Sequence, residues 1–185
     1  MRKLVVSEFV SVDGVFEDPG GAEGFKYGGW SMEFNGPDNM QFKHDELMAA
    51  DILLLGRVTY EGFAKAWPKV QGAGDFGEKM NSMPKVVVSS TLEKADWQNS
   101  TIIKDNVLEE IKKLKESKGG NILVGGSGKL VNFLLENNLV DELNLMIYPV
   151  ILATGKKLLT THQKLSLLEA KSYDKGVVVL RYQPE

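Results

Sequence analysis

Residues 121–135 read Asn-Ile-Leu-Val-Gly-Gly-Ser-Gly-Lys-Leu-Val-Asn-Phe-Leu-Leu. Ile122-Leu123-Val124 is a short apolar run of the kind that forms a buried strand, and it stops at Gly125-Gly126. Ser127-Gly128-Lys129 follows, and Leu130, Phe133 and Leu134 then recur at helical spacing. Glycines between a buried strand and a helix let backbone approach a ligand with no Cβ in the way. The helix start behind them offers unpaired N–H groups and the positive end of a dipole, where anions bind. This stretch predicts a strand–turn–helix unit with a phosphate-bearing ligand across Gly125–Lys129. Glycines also occupy such turns for steric reasons alone, and two named motifs are excluded. The P-loop requires Ser or Thr after Gly-Lys, where this chain has Leu130, and the dinucleotide fingerprint starting at Gly126 would end on Val131.

The same pattern recurs upstream. Leu4–Val12 is mostly apolar, as suits an inner strand, and ends at Ser11-Val12-Asp13-Gly14. Ile52–Leu55 runs into Gly56-Arg57-Val58-Thr59-Tyr60-Glu61, where the Arg57 guanidinium is placed to grip a phosphate. Lys85–Val88 ends at Ser89-Ser90-Thr91, hydroxyls that serve equally as caps or as phosphate and ribose ligands.

Helices are expected over Asn39–Ala50, from the Gly56 turn to Ala66, from Asn106 to Lys118 and after Ser127. Asp51 should close the first, and Asn106 with Glu109 has the form of a capping box. Gly72–Met83 reads as a connector. Val15–Asp38, rich in glycine and aromatics including Phe16, Phe25, Tyr27 and Trp30, reads as a substrate-covering loop. Leu139–Ile151 reads as a long strand that Pro149 bends or places at an edge. Leu165–Ser172 and Val177–Tyr182 form a closing hairpin around Asp174-Lys175-Gly176.

Strand–helix alternation followed by successive strands predicts one α/β domain over residues 1–185, a mostly parallel sheet with flanking helices and antiparallel C-terminal strands. In such sheets ligands bind at the carboxyl ends of the strands, so the four glycine- or hydroxyl-rich tips should share one cleft.

Composition narrows the function classes. The net charge of −3 gives no global attraction to nucleic acid or an anionic membrane. No apolar run approaches the ~20 residues of a membrane span. Met1-Arg2-Lys3 with Leu4-Val5-Val6 begins like a signal peptide, but Ser7-Glu8 interrupts it and no cleavage site follows, which predicts a cytoplasmic protein. The absence of cysteine excludes disulfides, thiolate catalysis and cysteine metal sites, and His44 and His162 lack ligand spacing, so no metal is expected.

Taken together, Ser11–Gly14, Leu55–Glu61, Ser89–Thr91 and Gly125–Gly128, in this order over nearly the whole chain, resemble the dihydrofolate-reductase-like fold. The closer resemblance is to the reductase domain of bacterial riboflavin biosynthesis and its stand-alone relatives. That resemblance implies a three-layer sandwich binding NADPH and a homodimer. Gly56, Arg57, Val58 and Thr59 would contact cofactor phosphates, with Arg57 reading the 2′-phosphate or pyrophosphate. Ser89, Ser90 and Thr91 would line the adenosine end, and Gly125, Gly126, Ser127, Gly128 and Lys129 the pyrophosphate and nicotinamide side. Ser11, Asp13 and Gly14 would border the nicotinamide and the substrate ring, with Asp13 the catalytic candidate and Trp30 of the covering loop a substrate contact.

The implied reaction is hydride transfer to a pteridine or a (ribosylamino)pyrimidinone, as in 5-amino-6-(5-phosphoribosylamino)uracil reductase. The acid that binds the pterin in folate reductases would fall at about Met40, with Asp38 and Glu46 off register, which argues against folate. With no Cys and no room for it, the zinc deaminase domain of the riboflavin enzyme is not expected here, and the chain reads as a reductase domain alone. The alternative expectation is a nucleotide-binding regulatory or stress protein on the same fold, without turnover.

Overall fold

The computed structural model describes residues 1–185. Eight strands form one sheet: β1 (Leu4–Ser11), β2 (Ala50–Gly56), β3 (Lys85–Val88), β4 (Ser100–Ile103), β5 (Asn121–Val124), β6 (Glu142–Tyr148), β7 (Leu165–Ser172) and β8 (Val178–Pro184). Their spatial order is β4-β3-β2-β5-β1-β6-β8-β7. The pairings from β4 to β6 are all parallel, and β8 runs antiparallel to both of its neighbours. The helices are α1 (Pro37–Met48), α2 (Arg57–Ala66), α3 (Gly74–Ser82), α4 (Val107–Glu116) and α5 (Gly128–Glu136).

The sheet is covered on both faces, which is why its central strands are continuously apolar. On β1, Leu4, Val6 and Val10 join the cluster under α4 and α5, with Ile111, Leu130, Val131 and Leu134. Val5 joins the opposite cluster, with Leu47 of α1, Tyr60 of α2 and Met80 of α3. A third cluster gathers Val15, Trp30, Met146, Tyr148 and Val179 and anchors the long loop to β6 and β8.

Four local expectations are corrected. Gly72–Met83 contains α3, whose Phe76 and Met80, with Met83 just beyond it, join the cluster that includes Trp67 and Trp97. The predicted edge strand Leu139–Ile151 shortens to β6, an interior strand hydrogen-bonded to β1 and β8, and Pro149 lies just beyond it, where its missing N–H removes no ladder bond. Asp51 belongs to β2, where its carboxylate accepts from Arg2 and from the Gly120 N–H. Asn106 does begin α4, but from the left-handed region and with no side-chain cap, while Glu109 pairs with Lys112 at 2.9 Å.

Candidate functional site

Because β3, β2, β5 and β1 are adjacent and parallel, their carboxyl ends open on the same edge of the sheet. A cavity of about 940 Å³ lies there, at the upper end of the range of small-molecule and cofactor sites. Gly56–Thr59, Ser89–Thr91 and Gly125–Lys129 all line it. Three of the four predicted tips therefore meet.

The tips interlock, and the glycines are what permit it. A Cβ on Gly126 (φ 104°) would fall 2.6 Å from Thr59 Oγ1, and one on Gly128 would fall 2.6 Å from the Phe16 ring. A Cβ on Gly56 would strike Ser127. These three glycines are required by the protein's own packing. Gly125 differs: the nearest atom to its would-be Cβ is Phe63 Cε2, at 3.9 Å. Its missing side chain leaves room for a ligand.

Two helix N-termini, Arg57–Thr59 of α2 and Gly128–Leu130 of α5, reach the cavity. Their first-turn N–H groups have no intrahelical acceptor and favour an anion. Arg57 is held along its own helix by Glu61, Nη1 to Oε2 2.9 Å, with both side chains about half exposed. Lys104 and Lys129 line the cavity as well and have no carboxylate partner. Ser89 Oγ accepts from the N–H groups of Thr91 (3.2 Å) and Leu92 (2.9 Å), shaping the turn after β3.

The fourth tip is placed elsewhere. Ser11, Asp13, Gly14 and Trp30 are not among the residues that line the cavity. The Asp13 carboxylate accepts from Ser11 Oγ (2.7 Å) and from the N–H groups of Leu152 (3.1 Å) and Ala153 (2.9 Å). The Ser11 hydroxyl and then these amides hold its carboxyl well below the usual carboxylate range. Asp13 fastens the first turn to the loop after β6 through these bonds. Trp30 is buried against Tyr148, ring centroids 5.5 Å apart, with Nε1 donating to the Glu17 carbonyl at 2.8 Å. Trp30 fixes the covering loop from beneath. The loop itself does border the cavity, through Phe16, Glu17, Pro19, Ser31, Met32 and Asn35.

The polar groups that β1 and α1 bring to the cavity were not legible in advance. Ser7, Glu8 and Phe9 of β1 line the cavity together with Lys43 of α1. Lys43 Nζ donates to Ser7 Oγ (2.7 Å) and to Glu46 Oε2 (2.6 Å), and Asn144 Nδ2 of β6 donates to Glu46 Oε1 (2.7 Å). Glu46 is thus fully engaged. Glu8 is 7% exposed, and its Oε1 is buried with no hydrogen-bond partner. Burial pushes its carboxyl up to about 8, opposed by Lys43 and assisted by Glu46. The available signal was a charged residue in the middle of a strand covered on both faces.

An eight-stranded, mostly parallel sheet with a cavity across its central strand tips defines a dihydrofolate-reductase-like α/β protein. The chain belongs to the RibD C-terminal domain family, whose model matches residues 2–179. It is 29% identical over 187 residues to the uncharacterized protein YyaP of Bacillus subtilis, covering 98% of this chain and 94% of that one. Among solved structures it resembles a Shewanella sp. PV-4 protein assigned to riboflavin biosynthesis (TM-score 0.77, 20% identity, 99% of both chains). It also resembles dihydrofolate reductase from Enterococcus faecalis complexed with NADP(H) (TM-score 0.64, 16% identity, 99% of this chain and 96% of that one). No helix is long and apolar enough to cross a membrane.

Proposed function

We propose that this protein is an NADPH-dependent reductase that transfers hydride to a pteridine- or (ribosylamino)pyrimidinone-like heterocycle. The observation that carries the reading is the convergence of Gly56–Thr59, Ser89–Thr91 and Gly125–Lys129 on one cavity with two helix N-termini on its wall. The donor set suits a dinucleotide. The amides at Arg57–Thr59 and Gly128–Leu130 would hold phosphates, and Lys104, Lys129 and Arg57 offer cations for an additional phosphate. The open side of Gly125 accommodates a flat group against backbone. When bound, NADPH supplies the hydride.

The protein's part is to position and to enclose. Phe16 from the covering loop, Phe9 on β1 and Phe133 on α5 give the cavity apolar walls on several sides. Lys156 ties the covering loop down through Glu17 Oε1 at 2.9 Å. Ser7, Glu8 and Lys43 supply the polar groups at the inner end. Holding two rings together and excluding water is the main contribution a protein makes to hydride transfer. The test is fluorescence titration with NADPH, followed by NADPH oxidation against a panel of pteridines and aminopyrimidinones. Binding with turnover supports a reductase. Tight binding with no turnover on the whole panel would favour the non-catalytic nucleotide-binding alternative. Failure to bind would reject both.

A further inference from the structure

Among the buried side chains that line the cavity, Glu8 alone has an unpartnered oxygen; behind the lining, the Asn144 amide oxygen is unpartnered as well. Ser7, Lys43, Glu46 and the amide nitrogen of Asn144 are engaged with one another. The Glu8 carboxyl accepts no hydrogen bond, and its Oε1 is sealed from solvent in a wall of the cavity. An ionised carboxylate in that setting is strongly disfavoured. A neutral carboxyl is tolerated, and with only Oε1 sealed its O–H can be carried on Oε2.

We propose that Glu8 is the acid of the reaction, donating its proton to the ring nitrogen or oxygen of the substrate as the adjacent carbon receives hydride. The assignment rests on the reductase reading above. In the step, the hydride and its electron pair pass from the reduced nicotinamide C4 to the electrophilic carbon of a C=N or C=O bond. The π pair moves to the heteroatom and takes the Glu8 proton. NADP⁺, reduced substrate and the Glu8 carboxylate remain, and solvent reprotonates the carboxylate after product leaves.

The surroundings suit a proton that is held and then returned. Burial raises the proton affinity of Glu8, Glu46 raises it further, and Lys43 moderates it. Lys43 and Glu46 act on it through charge alone, across the sheet: they engage Ser7 and Asn144 on the α1 face, whereas Glu8 alternates with them and lies on the face of Val6 and Val10, beside Leu145 of β6. Around the same cavity stand Glu17, Glu23, Arg57, Lys104, Lys129 and Lys156. Carboxyls tuned close to the working pH are effective general acids.

The experiment compares wild type with Glu8→Gln, which keeps the shape and removes the proton. Difference infrared spectroscopy should show a protonated-carboxyl carbonyl band at neutral pH that titrates away near pH 8 and is missing in Glu8→Gln. With any panel substrate, the variant should lose about 100-fold or more in turnover, the usual span for general acid catalysis, while NADPH affinity stays within about two-fold. Wild-type turnover should also fall above pH 8, where the acid is lost. Absence of the band, or a variant that turns over like wild type, overturns the proposal. Failure of wild type to bind NADPH would instead overturn the reductase reading, and the infrared band would still decide whether Glu8 holds its proton.

Discussion

Thr59 Oγ1 on α2 occupies the space into which a side chain on Gly126 would project, 2.6 Å from a Cβ built there. The tips of β2 and β5 are thereby locked together, with the Gly56 N–H donating to the Gly126 carbonyl at 3.0 Å.

Gly126→Ala is therefore expected to destabilise the fold by about 1–3 kcal/mol, since the new methyl meets Thr59 and the backbone at φ 104° suits only glycine. NADPH affinity should fall with it. Thr59→Ser in the same background should restore little, because the nearest atom is the retained hydroxyl. Denaturant melts of the two variants check this. A stable Gly126→Ala protein with unchanged NADPH binding would remove Gly126 from the cradle.

Arg57→Ala should weaken NADPH more than NADH, by about 1–3 kcal/mol if the guanidinium leaves Glu61 for a charge-assisted phosphate contact. The Arg57–Glu61 pair is exposed and contributes little to stability, so folding should be unaffected. Parallel titrations with the two cofactors read the difference. An equal loss for both would assign the extra phosphate to Lys104 or Lys129.

Glu8 also makes stability depend on pH in a definite direction. Its carboxyl has a higher proton affinity folded than unfolded, about 8 against 4.5. The native state therefore binds more protons than the unfolded state between these values, and stability falls as pH rises through that window. The contribution is complete below about pH 4.5 and gone above about pH 8. Glu8→Gln should flatten this slope, which is on the order of a few kcal/mol across the window. Subtracting the two urea-melt series isolates Glu8 from His44, whose pKa the Asp75 and Asp45 carboxylates raise. A variant with the same pH slope as wild type would contradict the assignment.

A homodimer is the expected assembly, through the exposed edge at β7 rather than through β6. Leu167 and Leu168 on that strand are about half exposed and lie close to Leu165. The bulge between Leu167 and Glu169 interrupts the ladder with β8, so side-chain burial must contribute alongside backbone pairing. Light scattering should report twice the chain mass, and Leu167→Lys with Leu168→Lys should halve it. A wild-type monomer refutes the expectation.

Most of the architecture could be read from periodicity. Lys85–Val88 and Leu165–Ser172 fall where the apolar runs and turn residues place them, because Pro84 and Ser89 bound the first and the Asp174-Lys175-Gly176 turn follows the second. The α3 helix was hidden by Gly74 and Gly77, although Phe76, Met80 and Met83 keep helical spacing; its burial against Trp67 and Trp97 overrides the weak propensity. The site was half legible. Glycine and hydroxyl clusters mark the strand tips because backbone approach demands small residues. Ser7, Lys43, Glu46 and Asn144 come from three distant segments, and only the closed sheet brings them together. The anchoring of Asp13 was hidden for a related reason: its turn is local and visible, but the two amides it accepts from belong to Leu152 and Ala153, far along the chain.

The position of β1 has a bearing on how the molecule is built. Val5 sits between Leu123 and Glu142, so both partners of this strand are encoded more than a hundred residues downstream. During synthesis the strand emerges with its apolar faces and both ladder edges unsatisfied, and it stays so until Tyr148 is available. Closure of the sheet waits on these distant pairings, and pairings of such sequence separation slow folding. The wall that carries Glu8 is among the earliest stretches to be translated and among the last to find its neighbours.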